Sequence, residues 1–274
     1  MLLLLVGCGK MGGAMLQGWL DQGTPPSKIT VVEPNSKAAQ DIQSQLAVNV
    51  VGAADELPQD YAPDVVVLAV KPQIMNQVLP PYANLVENSL VENSPVFLSI
   101  AAGRTLASFE DILGAQAAVV RAMPNTPASV GRGITVGCPN MHVTEAQIDL
   151  CTSLLKAVGE VEWVKSERLM DAVTALSGSG PAYIFLLAEA MAAAGQRAGL
   201  EAGLADRLAR ATVCGSGELL HQSDVPASTL RENVTSPGGT TAAALDVLMD
   251  SGGMTDLLTK AVRAATKRSK ELAG

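Results

Sequence analysis

Aromatic residues are scarce, with two Trp, three Tyr and three Phe among 274 residues. So few rings supply neither stacking platforms for single-stranded nucleic acid nor the interfacial belt of a membrane protein. Positive charge is short as well: 19 Lys and Arg stand against 27 Asp and Glu, a net charge of −8, which argues against a general binder of phosphate backbones. Cys8, Cys138, Cys151 and Cys214 form no CxxC pair and have no His pair nearby. That spacing argues against a zinc site or a disulfide framework, so no metal and a reduced, cytoplasmic setting are expected. Long apolar runs are missing too. The opening MLLLLV has no basic flank and stops at Gly7, and residues 183–200 are interrupted by Glu189, Gln196 and Arg197. Neither stretch has the make-up of a signal peptide or a membrane span.

What is present is ample chain for two domains. Apolar runs of four to six residues alternate with helical patterns through the first half, at 2–6, 29–33, 47–51, 65–70, 96–100 and 118–121. Rich in Val, Ile and Leu without polar alternation, they predict strands buried on both faces of a parallel sheet, hence an α/β domain. Runs at 134–137 and 161–164 flank a predicted helix over 144–158 and extend that sheet. Beyond Val164 no strand is predicted. Helices are expected at 167–175, 181–199, 204–221, 226–233, 240–250 and 254–271, Ala- and Leu-rich in a way that suits close helix or subunit packing. The chain therefore divides into 1–164 and 165–274. The first part holds 8 Lys and Arg against 15 Asp and Glu, net −7, and the second 11 against 12, net −1. An anionic ligand of the first part must then be held by backbone N–H groups and a few local cations.

The strand ends carry the motifs. Gly7-Cys8-Gly9-Lys10-Met11-Gly12 has GxGxxG spacing directly between the first strand and a helix. Glycine there allows a tight turn, close approach of a diphosphate, and close packing of helix on strand. The plain alternative is a tight turn alone. Glu33 ends the second strand, where a carboxylate accepts from the adenine-ribose hydroxyls and repels a 2′-phosphate, favouring NAD over NADP. Ser36 and Lys37 could bind that phosphate if Glu33 turns away; otherwise Glu33 is a solvated strand-end acid. Ala69-Val70-Lys71-Pro72 and Ile100-Ala101-Ala102-Gly103 leave room for a ribose and nicotinamide, although Lys71 could be an ordinary surface lysine. In Arg121-Ala122-Met123-Pro124-Asn125-Thr126-Pro127, two prolines either fix a loop that presents Asn125 and Thr126 to the cofactor or form a rigid structural turn.

Two loops of the second half, Ser177-Gly178-Ser179-Gly180-Pro181 and Asn233-Val234-Thr235-Ser236-Pro237-Gly238-Gly239-Thr240-Thr241, lead into helices. Their N–H groups and hydroxyls suit a carboxylate; ordinary capping would explain one such loop, two less easily. The only histidines, His142 and His221, lie outside every motif. A carbonyl reductase needs a proton donor for the developing alkoxide. A protonated imine needs none, because it becomes an amine on taking a hydride.

Five of these motifs, those beginning at Gly7, Ala69, Arg121, Ser177 and Val234, in this order over nearly the whole chain, resemble the pyrroline-5-carboxylate reductase family. The resemblance implies an N-terminal Rossmann domain, an all-helical dimerisation domain, and an active site at the dimer interface, with larger rings of dimers among family members. It implies reduction of 1-pyrroline-5-carboxylate to L-proline, the last step of proline biosynthesis. On it, Gly7, Cys8, Gly9, Lys10, Met11 and Gly12 bind the diphosphate, while Ala69, Val70, Lys71, Pro72, Ile100 and Ala102 border the nicotinamide and its ribose. Asn233 approaches the cofactor from the helical domain. Ser236, Gly238, Gly239, Thr240 and Thr241 hold the substrate carboxylate and ring nitrogen, with Thr241 beside that nitrogen; Ser177 and Ser179 join the candidate substrate residues on the make-up of their own loop, not on the resemblance. Family members commonly prefer NADPH, whereas Glu33 favours NADH. A related imine or 2-hydroxy-acid reductase and a non-catalytic nucleotide sensor remain as other readings of the same residues.

Overall fold

The structure, a computed structural model, describes residues 1–87 and 94–273. Eight strands among them form one sheet in the order β3-β2-β1-β4-β5-β6-β7-β8. They are β1 (Leu3–Val6), β2 (Ile29–Val32), β3 (Asn49–Val51), β4 (Val65–Leu68), β5 (Val96–Ser99), β6 (Ala118–Met123), β7 (Gly133–Pro139) and β8 (Gly159–Trp163). β1 to β6 are parallel throughout, with Leu3 opposite both Ile29 and Val65. β7 runs antiparallel to β6, and β8 parallel to β7. The 3-2-1-4-5-6 order is the doubly wound Rossmann arrangement, whose crossover at β1 and β4 opens a crevice beyond the carboxyl ends of the strands. β1, β2, β4 and β5 are buried along their whole length, as expected of strands covered on both faces.

Helices α1 (Lys10–Asp21), α2 (Ser36–Leu46), α3 (Met75–Val78), α4 (Asn84–Glu87), α5 (Leu106–Leu113) and α6 (Glu145–Lys156) connect these strands. On one face Met15, Leu16 and Trp19 of α1 meet Leu154 and Leu155 of α6 over Leu3, Leu5 and Val67. The Trp19 indole N–H donates to the Leu154 carbonyl at 2.9 Å, so this buried ring brings no unmet donor inside. On the other face Met75, Tyr82, Phe109 and Leu113 cover Leu4, Val66 and Phe97. α6 starts in a capping box, with Thr144 and Gln147 satisfying each other's backbone N–H groups.

Two elements differ in detail from expectation. The third strand begins at Asn49 rather than 47, because Ala47 ends α2 in the left-handed region at φ 54°. The helix expected at 167–175 is broken into three turns: a 3₁₀ turn Glu167–Leu169, α7 (Met170–Val173), and a π-helical turn Thr174–Gly178.

Every later element is helical: α8 (Gly180–Arg197), α9 (Ala202–His221), α10 (Ala227–Asn233), α11 (Thr240–Leu248) and α12 (Met254–Ala273). By packing the chain forms two compact units, Met1–Gly178 joined by the stretch from Thr266 onward, and Ser179–Ala265. Within the second unit α8 and α9 are close neighbours, Gly195 lying against Ala205. Among the described residues no helix is long and apolar enough to cross a membrane.

Candidate active site

The glycine loop stands at the carboxyl end of β1. Gly7 is left-handed at φ +85°, and its N–H donates to the Val32 carbonyl at 3.0 Å, tying the loop to β2. A Cβ at Gly7 would lie 2.7 Å from Val70, and one at Gly12 would lie 2.6 Å from the Gly7 carbonyl oxygen and 3.1 Å from Ala69. These two glycines let the loop close onto the segment after β4. Gly9 is different: its φ of −70° suits any residue, and a Cβ there would meet nothing within 4 Å. Gly9 is also the N-cap of α1 and offers no side-chain cap, so the first N–H groups of the helix face that open space unclaimed. Backbone donors at a helix N-terminus beside open space that a side chain at Gly9 would occupy fit a diphosphate.

Glu33 follows β2, and its carboxylate does not turn away. One oxygen accepts from the Cys8 N–H at 3.3 Å and the other from the Asn35 N–H at 3.0 Å. Asn35 in turn caps α2 through the Ala38 N–H at 2.9 Å. Ser36 and Lys37, the first residues of that helix, are exposed. Burial pushes the Cys8 thiol up to about 11, and the Glu33 carboxylate adds to this effect. Cys8 therefore stays neutral and adds no second negative charge to a loop that must accept a diphosphate.

Ala69 and Val70 are brought against the glycine loop, the Ala69 N–H donating to the Val6 carbonyl at 2.9 Å. Lys71 is exposed, and Pro72 opens a 3₁₀ turn. The Ile100 N–H donates to the Leu68 carbonyl at 3.1 Å, which holds the segment of Ile100 and Ala102 beside the end of β4. Arg104 donates to Asn76, linking the segments after β4 and β5. Gly7 to Gly12, Glu33, Ala69 to Pro72, Ile100 and Ala102 thus share one edge of the sheet in the first unit.

That edge also carries Asn125 and Arg121, from the motif that by sequence either faces the cofactor or forms a rigid turn. Asn125, just past β6, accepts the Ile134 N–H at 3.0 Å and donates to the Ser177 hydroxyl at 3.3 Å. Arg121, its side chain 5% exposed, pairs with Glu167 at 2.9 Å, and the same Glu167 oxygen accepts the Leu106 N–H at 2.8 Å. An arginine inside an apolar strand and an asparagine between two prolines were the available signals. Their partners, 46 and 52 residues away, were not readable from the sequence.

The remaining expected residues belong to the helical unit and are placed within it. Ser179 precedes α8, which begins Gly180-Pro181. Asn233 ends α10 and is exposed. The turn that follows is closed by the Gly239 N–H on the Ser236 carbonyl at 3.0 Å and passes through Gly238 at φ +69°. Gly239 caps α11 without a side chain, and Thr240 and Thr241 form the first turn of that helix. Both Ser236 and the α11 N-terminus therefore offer donors from one short loop.

The sheet order and the uncapped glycine loop together define a dinucleotide-binding protein of the Rossmann class. A family model described as "NADP oxidoreductase coenzyme F420-dependent" matches residues 3–95, and one described as "Pyrroline-5-carboxylate reductase dimerisation" matches residues 167–272. A pyrroline-5-carboxylate reductase of Pseudomonas aeruginosa is 40% identical over 99% of this chain and 96% of its own. One from Synechocystis is 39% identical over 98% and 97%. Among solved structures, a pyrroline-5-carboxylate reductase of Coxiella burnetii superposes with a TM-score of 0.92 at 36% identity, covering 99% of this chain and 98% of that one. The Plasmodium falciparum pyrroline carboxylate reductase, solved with NADP bound, gives 0.80 at 30% identity over 100% and 98%. The chain belongs to the pyrroline-5-carboxylate reductase family.

Proposed function

We propose that this protein reduces 1-pyrroline-5-carboxylate to L-proline at the expense of a nicotinamide dinucleotide, the last step of proline biosynthesis. The observation that carries the reading is full-length kinship with reductases of that name, matched by family models over both parts of the chain. When bound, the reduced nicotinamide supplies the hydride that adds to the C=N carbon. The backbone N–H groups of Gly9, Lys10, Met11 and Gly12 hold the diphosphate, with Gly7 and Cys8 forming the turn beneath it. Ala69, Val70, Lys71, Pro72, Ile100 and Ala102 are assigned to the nicotinamide side, and Asn233 to the cofactor on the family resemblance.

The substrate is a small anion. Ser236, Gly238, Gly239 and Thr240 are assigned to its carboxylate with Ser177 and Ser179, and Thr241 to its ring nitrogen. No histidine is required, since the protonated imine becomes the amine of proline on gaining the hydride pair. The chain's contribution is orientation and exclusion of water.

NADH is the preferred reductant in this reading. What supports it is the Glu33 carboxylate, held over the glycine loop by two N–H groups, where it accepts ribose hydroxyls and repels a 2′-phosphate. The protein acts as a dimer through residues 165–274, with rings of dimers as the larger assembly. Exposed Ile184, Phe185, Leu186, Leu219, Leu220 and Leu257 support burial against a second copy. Residues 1–164 are the cofactor domain, and the setting is cytoplasmic, in keeping with four free cysteines.

The test is the loss of NADH or NADPH absorbance with pyrroline-5-carboxylate, alongside assay of proline. Turnover with the larger kcat/KM for NADH is expected, and Glu33→Gln should move the ratio toward NADPH. A wild-type preference for NADPH would assign Ser36 and Lys37 to a 2′-phosphate instead. Thr241→Ala should lower kcat/KM by about 1–3 kcal/mol in barrier terms, the range of one charge-assisted hydrogen bond. Cofactor binding without turnover would make the protein a nucleotide sensor.

A further inference from the structure

The loop of Asn125 by sequence either faces the cofactor or forms a rigid turn, and its two hydrogen bonds determine how a neighbouring hydroxyl can be used. The Ile134 backbone N–H can only donate, so the amide atom facing it is the Oδ1 oxygen. The other amide atom, Nδ2, is thereby turned to Ser177 and must donate to its Oγ. Ser177 Oγ acts as acceptor on that side, and its own proton is directed elsewhere. Among the described residues the hydroxyl has no acceptor for that proton.

The approach is built into the fold. Asn125 is fixed between Pro124 and Thr126-Pro127 immediately beyond β6, and Ser177 lies in the π-helical turn Thr174–Gly178. A π turn displaces the backbone locally and is a frequent feature of functional sites. Met123 at the end of β6 packs on Gly178, its terminal methyl against the position of a Cβ there. β6 and the turn can therefore come as close as the hydrogen bond requires.

We infer that Asn125 is a positioning residue that holds the Ser177 hydroxyl as a hydrogen-bond donor toward the carboxylate of the substrate. This rests on the proposed reaction and on the assignment of Ser177 to the substrate. A carboxylate has only acceptors to offer, so a neutral site binds it through donors with their protons already turned outward. Replacing the amide by a carboxylate, as in N125D, keeps the bond to Ile134 and removes the donor. The serine proton then turns inward to the new carboxylate, and a lone pair and a nearby negative charge face the ligand instead.

The experiment compares N125D, S177A and N125D/S177A with the wild-type protein on pyrroline-5-carboxylate and on 1-pyrroline, which lacks the carboxylate. Calorimetric binding of L-proline in the presence of oxidised cofactor and melting temperature accompany the kinetics. Losing one hydrogen bond to a charged group corresponds to roughly a tenfold or greater rise in KM for pyrroline-5-carboxylate. N125D and S177A should both show it, with kcat little changed, L-proline binding weakened to match, and KM for 1-pyrroline barely moved. The double variant should be no worse than the more affected single one. An equal rise in KM for both imines would make Asn125 merely structural, and an unchanged KM for pyrroline-5-carboxylate in N125D would overturn the inference. Altered affinity for the dinucleotide with L-proline binding intact would reassign Ser177 to the nicotinamide. Wild-type turnover of pyrroline-5-carboxylate is read separately, so failure of the reaction itself is distinguishable from failure of the inference.

Discussion

Gly9 and Gly12 lie three residues apart in one motif, and the space around them predicts opposite failures for the same substitution. In Gly12→Ala the new methyl carbon lies 2.6 Å from a backbone carbonyl oxygen, an obstacle that no side-chain rotation relieves. Overpacking against fixed atoms costs about 1–3 kcal/mol, against a gain of about 1 kcal/mol for alanine over glycine inside a helix. The loop must open or the protein loses stability. In Gly9→Ala the methyl enters free space from an ordinary backbone conformation. Loss of glycine at an N-cap, of order 0.5–1 kcal/mol, is offset by a less mobile unfolded chain worth about 0.4–1 kcal/mol, so stability stays within about 1 kcal/mol. That methyl instead occupies the volume into which the diphosphate must come. At the same overpacking cost of about 1–3 kcal/mol, the dinucleotide binds roughly 5- to 150-fold more weakly. Urea denaturation and titration of NADH fluorescence separate the two effects. A Gly9→Ala protein that binds NADH as tightly as wild type, or a Gly12→Ala protein with unchanged stability and affinity, would refute the reasoning.

Removing Glu167 as Glu167→Ala leaves Arg121 buried without a counterion and the Leu106 N–H without an acceptor. A fully buried pair costs about 3–5 kcal/mol to break; with Glu167 28% exposed the expected loss is about 2–4 kcal/mol in urea denaturation, and a loss below about 1 kcal/mol would show the pair to be energetically idle. Cys8 is held protonated, first by burial and then by Glu33, up to about 11, so between its ordinary value of 9.0 and that pH it should alkylate slowly with iodoacetamide. Glu33→Gln should speed the reaction, and equal rates in the two proteins would remove the carboxylate as a cause. Glu201 caps α9 by accepting the Gly203 and Leu204 N–H groups, which lower its pKa. A lowered carboxyl favours the folded state above its ordinary range and loses that support as pH falls through the folded value. The amides of Gly203 and Leu204 should lose hydrogen-exchange protection relative to the middle of α9 on acidification, and a pH-independent ratio would count against the cap.

Much of this architecture could be read in the sequence because its signals are local. Uninterrupted Val, Ile and Leu runs mark strands covered on both faces, and Gly7, Gly9 and Gly12 announce a turn whatever surrounds it. Other features depend on partners distant along the chain. β7 pairs antiparallel with β6 because the short turn after Val130 reverses the chain, and its composition matches that of a parallel strand. The π turn at 174–178 is spelled like any Ala, Ser and Gly stretch, and its geometry accompanies the packing of Met123 on Gly178. Glu33 was legible as an acid at a strand end. The direction its carboxylate takes depends on the Cys8 and Asn35 amides. For the same reason the chemistry of Asn125 required Ile134 and Ser177 to be in view together.

The chain leaves the first unit after Gly178 and rejoins it at Thr266. Asp171, just before the departure, accepts the Ser269 hydroxyl at 2.7 Å just after the return, and Leu272 lies against Gly103. The helical unit is thus an excursion whose two ends are stapled together. During synthesis the nucleotide-binding unit remains unfinished until residues 266–273 emerge, because its last piece is the final stretch of α12. A chain truncated after Ala265 should retain every strand and every glycine of the fingerprint yet lack the clasp that ties Ser269 to Asp171.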